Sequence, residues 1–562
     1  MAEGIFESIQ RDYDTSGYGP VYPACASEEI MMEMGDGIRL KTFIFRPACE
    51  GGMPETKPLP LILQRSCYPG QMGTYKVHAE NLTKRGYIYA LQFCRGTGGS
   101  EGDWVPNVDE RSDGLDTVNW LNGQEWVESI GYWGNSYLAL TGWAIADRVP
   151  DKVKGMCLTH YGTDRFASAY EKGMFRQDVL TSWAMDNASF PVATDYTASC
   201  RYMPQVEVDE KLWGKRIGWY REWITSTRRE DAYWQGGWWK ELYDIPSRVK
   251  VPLYIRSGWY DHHHGSSMKT WDNLPEETKK KCRLDIGGWN HGFRPCLQDR
   301  ATENAGSSEV LAILEWFDLI LKQKRIPTQR IRTYVIGRDR WIEPSQWPEK
   351  PSDTMELYFG RKPQVESPGV LEAKAGHAEE VFTYEYAPSN PAPSHGVESL
   401  LKNMAENGSL IQPEPGYRAD VVSFVSEPVE EAICIYGKMK VHLFVASDCP
   451  DTAFTAKVME VRENGKSYNI RSSITSIRHD TGRAYEPGTV EEVTVDMWDI
   501  VYEVKKGSRL RIDISSSDFP QYNIHSNYAG VWALQDKAQK AVQKIYCGKA
   551  RPSRIEIPVK MN

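Results

Sequence analysis

The first part of the chain alternates between apolar runs of strand length and longer segments with helical spacing. From about Glu28 to Ala90, turn residues separate four runs that predict β-strands, namely EEIMMEM, IRLKTFIFRP, LPLILQRS and GYIYALQF. Between the last two, YKVHAENLTKRG predicts a helix that ends at Gly86. After Asp109, a helix is predicted in ERSDGLDTVNWLNGQ, a strand in ESIGYWGNS and an apolar helix in YLALTGWAIAD. This alternation predicts a parallel sheet with crossover helices.

The pattern changes between about Phe166 and Leu242. This stretch is aromatic, charged and of helical periodicity, as in EKLWGKRIGWYREWITSTRREDAYW, and it predicts a helical insertion without strands. Two further strands of the same sheet are predicted in VKVPLYIRSGWYD and KCRLDIGGWNHG, with a closing helix in SSEVLAILEWFDLILKQ. A polar linker from Lys322 to Thr328 follows. We therefore expect a helical cap that interrupts the sheet in the sequence.

From about Gln329 onward, helical patterns nearly vanish and β-branched runs recur between turn residues. The predicted strands include IRTYVIG, MELYFG, MKVHLFVAS, FTAKVMEVREN, VEEVTVDM and SRLRIDISSS. Many short strands in series are typical of a β-sandwich or jelly roll. The chain is thus predicted to have three domains: a discontinuous α/β domain at 1–165 and 243–327, a cap at 166–242, and a β-rich domain at 328–562.

Composition and charge indicate an ordinary globular protein. The 562 residues are 41% hydrophobic and 25% charged, with 67 Lys+Arg, 76 Asp+Glu and a net charge of −9. The acidic balance disfavours nucleic-acid binding, and no run reaches the about 18 apolar residues of a membrane span. Eleven cysteines without CxxC spacing are expected to be reduced thiols. The acidic N-terminus does not have the pattern of a signal peptide, so the expected location is the cytoplasm.

Ser136 is the first candidate for chemistry. It lies in Gly134-Asn135-Ser136-Tyr137-Leu138-Ala139, between a predicted strand and a predicted apolar helix. A nucleophilic serine needs an exposed Oγ, and a tight strand-to-helix turn provides it while directing backbone N–H groups toward a developing oxyanion. A glycine followed by a serine is common, so the motif gains weight only from this structural context.

Asp261 and His291 follow Ser136 in the chain order serine, acid, histidine, which is the order in hydrolases whose serine lies at a strand-to-helix turn. Asp261 ends the strand PLYIRSGWY, and His291 lies after the strand RLDIGG, within Gly287-Gly288-Trp289-Asn290-His291-Gly292. His291 would accept the Ser136 proton and return it to the leaving group. Asp261 would fix the imidazole tautomer and stabilise the imidazolium.

Two groups are candidates for stabilising an oxyanion. The first is the backbone N–H of Tyr137, next to the candidate nucleophile. The second is the phenol of Tyr68, in the loop RSCYPG that follows the third predicted strand. Tyr68 precedes a proline, so it is equally well explained as a packing anchor, and spacing alone leaves the two roles open.

Two other motifs resemble cofactor or metal sites, but their spacing does not fit either kind of site. The glycines of RGTGGSEG, at 95–102, do not have G-x-G-x-x-G spacing, so we interpret this segment as a loop after a strand. His262, His263 and His264 are consecutive, and in an extended chain they cannot all face one metal ion. We expect no cofactor and no metal, and we interpret the three histidines as a loop that frames the site.

Several motifs together resemble the CocE/NonD hydrolases, the family of cocaine esterase, X-Pro dipeptidyl-peptidase and α-amino-acid ester hydrolases. They are RSCYPG, RGTGGSEGDW, GYWGNSYLALTGW, IRSGWYD and GGWNHG, with YVIGRDRW and RLRIDISSSDFPQYN further on. The resemblance spans nearly the whole chain. It implies an α/β-hydrolase core, an inserted helical cap and a C-terminal jelly roll. It also implies that Ser136, Asp261 and His291 form the triad and that Tyr68 and the Tyr137 amide form the oxyanion hole.

The chain departs from this family at two positions near the site. Ala139 replaces the glycine that usually closes the serine motif, which implies altered helix packing. Cys94 stands where the family commonly has an aspartate before Arg95-Gly96. Neither departure removes a member of the triad.

The expected function is a serine hydrolase that cleaves an ester or amide of a small acyl, aryl or amino-acid-derived substrate through an acyl-enzyme. The alternatives are an X-Pro dipeptidyl-peptidase and a biosynthetic acyltransferase or amide-forming enzyme with the same triad. A non-catalytic binding protein is less favoured, because the triad order is intact. The expected partner is the small substrate, with neither nucleic acid nor membrane, and a homodimer stays open.

Overall fold

The computed structural model describes residues 4–362 and 368–560. The part before the predicted cap alternates strands and helices as expected. Its elements are α1 (Ile5–Thr15), β1 (Ala24–Glu33), β2 (Arg39–Ala48), β3 (Leu59–Ser66), α2 (Met72–Lys84), β4 (Ile88–Phe93), α3 (Glu110–Asn122), β5 (Val127–Asn135), α4 (Tyr137–Trp143) and β6 (Val153–Thr159).

The following stretch is mainly helical and carries one ribbon of two very short strands. Its elements are α5 (Arg165–Ala169), β7 (Tyr170–Glu171), β8 (Met174–Phe175), α6 (Gln177–Asp186), α7 (Tyr196–Arg201), α8 (Gly218–Thr225), α9 (Ala232–Gln235) and α10 (Gly237–Asp244). The chain then returns to the alternating pattern with β9 (Leu253–Tyr260), α11 (His264–Asp272), α12 (Glu276–Lys279), β10 (Arg283–Asn290), α13 (Glu309–Phe317), β11 (Arg330–Val335) and β12 (Arg340–Ile342).

The remaining elements are almost all strands. They are β13 (Asp353–Gly360), β14 (Gly369–Glu372), β15 (Glu380–Tyr386), β16 (Ile411–Gln412), β17 (Val422–Ser426), β18 (Ile433–Gly437), β19 (Lys440–Ser447), β20 (Ala453–Val461), β21 (Ser467–Ser476), α14 (Ile477–Thr481), β22 (Glu491–Asp496), β23 (Ile500–Val504), β24 (Arg509–Ser515), β25 (Ala541–Cys547) and β26 (Arg554–Val559). Short 3₁₀ segments lie at Pro69–Gln71, Gln205–Glu207, Ile245–Arg248, Met404–Glu406 and Trp532–Leu534, and π segments lie at Asp209–Trp213 and Asp318–Lys322.

The first sheet has ten strands in the order β1-β2-β4-β3-β5-β6-β9-β10-β11-β12 among the described residues. From β4 to β11 neighbouring strands are parallel, while β1, β2 and β12 pair in antiparallel fashion at the two edges. Every residue of β3, β4 and β9 is buried, as expected for parallel strands covered on both faces. The carboxyl ends of β5, β9 and β10 therefore share one edge of the sheet.

The described part of the second sheet has fourteen strands, and nearly all its pairs are antiparallel. It contacts the first sheet at the carboxyl end of β9. The Tyr260 hydroxyl donates to the Ile470 carbonyl at 3.2 Å, and the Arg471 guanidinium donates to the carbonyl of Trp259. Between residues 4–362 and 368–560, no helix has the length and apolar character needed to cross a membrane.

Several elements differ from the sequence-based expectation. The cap carries the short strands β7 and β8, although no strand was predicted there. No element was predicted at α1 or at β6, although both are present. The segment Arg330–Val335 was assigned to the third domain, but it is β11, which pairs in parallel with β10 and extends the first sheet. A β-branched run does not encode which sheet it joins, since pairing is decided by long-range packing.

Candidate functional site

Ser136 occupies the sharp turn between β5 and α4. Its φ of 57° and ψ of −124° place it in a left-handed backbone conformation that is unfavourable for a residue with a Cβ. Gly134 makes this turn feasible, because a Cβ at that position would lie 2.0 Å from the carbonyl oxygen of Leu138. The Ser136 amide donates to the Thr159 carbonyl at 2.9 Å, which fixes the turn against β6. Ser136 itself is half-buried and borders a cavity.

A chain of short hydrogen bonds links Ser136 to two later residues. His291, directly after β10, has its Nε2 2.9 Å from the Ser136 Oγ. Its Nδ1 lies 2.6 Å from Oδ2 of Asp261, which directly follows β9. A carboxylate only accepts, so Nδ1 carries the proton and Nε2 is free to accept one from Ser136. The structure thus brings together the three residues that chain order singled out.

Asp261 is fully buried, yet it is held in its charged form. Burial acts to raise the pKa of this carboxyl, but His291 and His160 outweigh it and keep the pKa well below its usual range. The backbone N–H of His263 also donates to Asp261 Oδ1 at 2.6 Å. Asp261 is therefore a fixed, ionised acceptor for the His291 ring.

The three consecutive histidines lie in a turn and the start of α11, all of them buried, rather than in extended chain. The His262 ring packs against the His291 ring with centroids 4.0 Å apart, and His263 accompanies it in the cavity wall. Burial, together with the nearby His291, lowers the pKa values of His262 and His263 well below the ordinary range. Both side chains are therefore neutral neighbours of the candidate base.

The two oxyanion candidates also border the cavity. The Tyr137 amide is at the first position of α4, where a helical N–H has no partner within its own helix. The Tyr68 hydroxyl accepts a hydrogen bond from Trp183 Nε1 at 3.0 Å. Burial raises the pKa of the Tyr68 phenol, so it keeps its proton. Because its oxygen is already an acceptor for Trp183, the phenol proton is left for another acceptor.

A cavity of about 420 Å³ opens onto Ser136. The cap contributes apolar and aromatic groups from α6, and Trp183 stacks on Tyr137 with ring centroids 6.0 Å apart. A second arm reaches α1 and the start of α13. The lining residues beyond those already named include Ile5, Ile9, Asp12, Asn107, Tyr161, Arg165, Val179, Leu180, Leu401 and Glu309. An apolar cavity with a few converging polar groups is the usual form of a small-molecule site.

Among the described residues, the group that comes nearest to a metal site is His160, Asp261 and His291. Its members are already engaged otherwise. A 2.6 Å contact between His291 Nδ1 and Asp261 Oδ2 is a hydrogen bond, since it leaves no room for an ion between them. His160 Nε2 accepts from Trp289 Nε1 at 3.1 Å. The arrangement fits proton transfer rather than metal ligation.

Sequence reasoning did not identify several residues around the site. It did not single out Trp183, the cap tryptophan that borders the cavity. It also missed His160, whose Nδ1 lies 4.0 Å from Asp261 Oδ2, and Arg165. These residues come together only through the packing of the cap on the sheet, so no local spacing signals them.

A serine at a strand-to-helix turn, with a histidine and an acid after later strands of a parallel sheet, defines the class of α/β serine hydrolases. Comparison with protein families agrees with this class. Residues 36–293 match the X-Pro dipeptidyl-peptidase (S15) family, and residues 325–556 match the X-Pro dipeptidyl-peptidase C-terminal non-catalytic domain. The chain belongs to this family of serine hydrolases, together with proteins of the cocaine esterase type.

Individual relatives extend over nearly the whole chain. Cocaine esterase from Rhodococcus sp. (strain MB1 Bresler) is 27% identical over 580 residues, covering 95% of this chain and 98% of that protein. An α-amino acid ester hydrolase structure gives a TM-score of 0.79 at 20% identity and covers 97% of both chains. An aminopeptidase from a marine sediment archaeon, Thaumarchaeota archaeon, gives 0.78 at 19% identity, with 96% and 97% covered. The predicted family, the α/β-hydrolase fold and the β-rich C-terminal part are confirmed.

Proposed function

We propose that this serine hydrolase cleaves a small ester or amide through an acyl-enzyme on Ser136. The proposal rests on one observation, the hydrogen-bonded chain from Ser136 through His291 to Asp261 at the floor of an apolar cavity. His291 takes the Ser136 proton as Oγ attacks the substrate carbonyl, and it then returns the proton to the leaving group. Water activated by the same imidazole then releases the acid.

The developing oxyanion is stabilised in this proposal by the Tyr137 amide and the Tyr68 phenol. Both are neutral donors at the cavity wall, and the Trp183 indole holds the phenol oxygen in place. Such fixed donors are most effective where charge develops in the transition state, because no reorganisation is needed at that moment.

We further propose that the three predicted domains divide this work. The sheet domain of 1–165 and 243–327 carries the triad, and its sheet continues through β11 and β12 beyond the predicted boundary. The cap of 166–242 supplies the apolar wall, and the strands from β13 onward, within the predicted 328–562 domain, form a supporting jelly roll. In support, α6 of the cap contributes Val179, Leu180 and Trp183 to the cavity. The cytoplasmic location and any homodimer stay predictions.

A substrate panel tests the proposed reaction. We expect p-nitrophenyl and amino-acid esters to be hydrolysed to free acid, and Ala-Pro p-nitroanilide to be turned over at least about tenfold less efficiently. Faster release of the dipeptide than of any ester would instead support an X-Pro dipeptidyl-peptidase. Formation of an amide as the main product when an amine is added would support acyl transfer.

Replacing Tyr68 by phenylalanine tests the oxyanion hole. The ring would still pack under the cap, but one donor to the oxyanion would be lost, so kcat is expected to fall roughly 10²- to 10³-fold with little change in KM. Steady-state kinetics on a p-nitrophenyl ester measures this. Tyr132→Phe is the matched control. The buried Tyr132 hydroxyl lies 2.8 Å from the Thr141 hydroxyl, and Tyr132 does not line the cavity. Equal losses in both variants would remove Tyr68 from the oxyanion hole.

A further inference from the structure

A buried arginine borders the cavity that contains Ser136. Arg165 is the first residue of α5 and is only 7% exposed. Among the described residues that line this cavity, it is the sole lysine or arginine. A cation in such a place is costly unless an anion accompanies it.

No described carboxylate forms an ion pair with Arg165 within 4.0 Å. The adjacent Asp164 pairs with Arg229 at 2.9 Å and with Lys269 at 3.3 Å. The Nε of Arg165 is buried without a hydrogen-bond partner among the described residues. The guanidinium therefore has one unused donor, its Nε–H, inside the protein.

The aromatic side chains next to Arg165 contact its guanidinium without neutralising its charge. Its guanidinium carbon lies 4.5 Å from the ring centroid of Trp223, so an indole covers one face of the group. The N–H donors of a guanidinium lie in its plane and stay available when a face is covered. Burial raises the pKa of the Tyr161 phenol while Arg165 opposes this, so the neighbouring phenol is a neutral group.

The carboxylates of the site have hydrogen-bond partners other than Arg165. Asp261 accepts from His291, Asp12 accepts from the Ser308 hydroxyl at 2.9 Å, and Glu309 accepts from Trp133 Nε1 at 3.2 Å. Arg165 also borders a smaller cavity of about 180 Å³, where Lys240 pairs with Asp244. The unmatched positive charge on the Ser136 cavity is thus that of Arg165.

We propose that Arg165 is a specificity-determining residue that binds a carboxylate of the substrate, so that the enzyme prefers esters or amides carrying a second, free carboxylate. This inference rests on the proposed hydrolysis at Ser136. A planar carboxylate matches the guanidinium fork with two parallel hydrogen bonds, which are among the stronger polar contacts in proteins. A substrate anion would compensate the buried cation and fix the scissile carbonyl relative to Ser136.

The test compares charged and neutral esters of matched shape. Monoethyl esters of succinic, glutaric and adipic acid are paired with ethyl alkanoates of matching length, which places the carboxylate on the acyl side. The 3- and 4-acetoxybenzoates are paired with the corresponding acetoxybenzamides, which places it on the leaving group. At least one charged ester is expected to exceed its neutral partner about 10- to 100-fold in kcat/KM.

Two variants assign the preference to Arg165. Arg165→Met keeps a long side chain against Trp223, and it is expected to remove the charge preference while neutral esters change less than about threefold. Arg165→Lys keeps the charge but loses the fork, so an intermediate preference is expected. Arg229→Gln is the matched control, because Arg229 borders only the smaller of the two cavities and pairs with Asp164.

Three results would overturn the inference. They are a wild type that prefers none of the charged esters, an Arg165→Met variant that loses charged and neutral substrates equally, and an Arg165→Met or Arg165→Lys variant with the full preference. Should Arg165→Met not fold, the lysine variant decides. Normal hydrolysis of neutral esters without a charge preference removes only this inference, whereas a wild type that hydrolyses no ester removes the proposed function as well.

Discussion

Ser136→Ala is expected to lower kcat by about 10⁶-fold, which corresponds to about 8 kcal/mol of transition-state stabilisation. The variant removes the Oγ that lies 2.9 Å from His291 Nε2, so no acyl-enzyme can form. KM is expected to change little, because the cavity walls stay in place. A fluorophosphonate should label the wild type at Ser136 and should not label the variant.

The control for this prediction is Ser112→Ala, at an exposed serine on α3 whose hydroxyl bonds the Asp109 carbonyl. Full activity and full labelling are expected there. Labelling that persists in Ser136→Ala, or an active wild type whose adduct maps to another residue, would show that the nucleophile lies elsewhere. Activity within tenfold of the wild type would lead to the same conclusion.

Elements with strong local patterns could be predicted from the sequence. The fully buried β3, β4 and β9 were predicted because their continuous apolar runs are bounded by turn residues. α1 and β6 were missed for different reasons. α1 is largely exposed and polar, so it is helical mainly through its contacts with α2 and α13. β6 has an apolar run after the turn residues Pro150 and Asp151, so this strand was predictable and was overlooked.

The residues of the candidate site also fall into those that the sequence could predict and those that it could not. Ser136, Asp261 and His291 could be singled out because each follows a recognisable strand, and chain order restricts which acid and histidine belong together. Trp183 and Arg165 could not be found, since their place in the cavity depends on how the cap folds over the sheet. The same holds for His160, which reaches Asp261 only because β6 lies between β5 and β9.

Asp261→Asn is expected to lower kcat about 10⁴-fold while the fold stays intact. The His263 N–H lies 2.6 Å from Asp261 Oδ1, so it requires an oxygen there and would turn the asparagine NH₂ toward His291 Nδ1. An NH₂ only donates, so His291 would carry its proton on Nε2 instead. That nitrogen is then unable to accept the proton of Ser136.

The pH profile of the wild type is an independent test of the role of Asp261. In the wild type, the pKa of Asp261 is well below its usual range, so it stays ionised, and the lowered pKa values of His262 and His263 keep both rings neutral. The acid side of log kcat/KM should therefore fall with a slope of one, because neither the Asp261 carboxylate nor the His262 and His263 rings add a second proton to that limb. Asp272→Asn, an exposed change at the end of α11, should reproduce the wild-type profile. Two results would contradict the proposed role of Asp261. One is a slope of two in the wild type. The other is a loss of kcat below tenfold in Asp261→Asn with unchanged thermal unfolding, because the carboxylate would then not set the His291 tautomer.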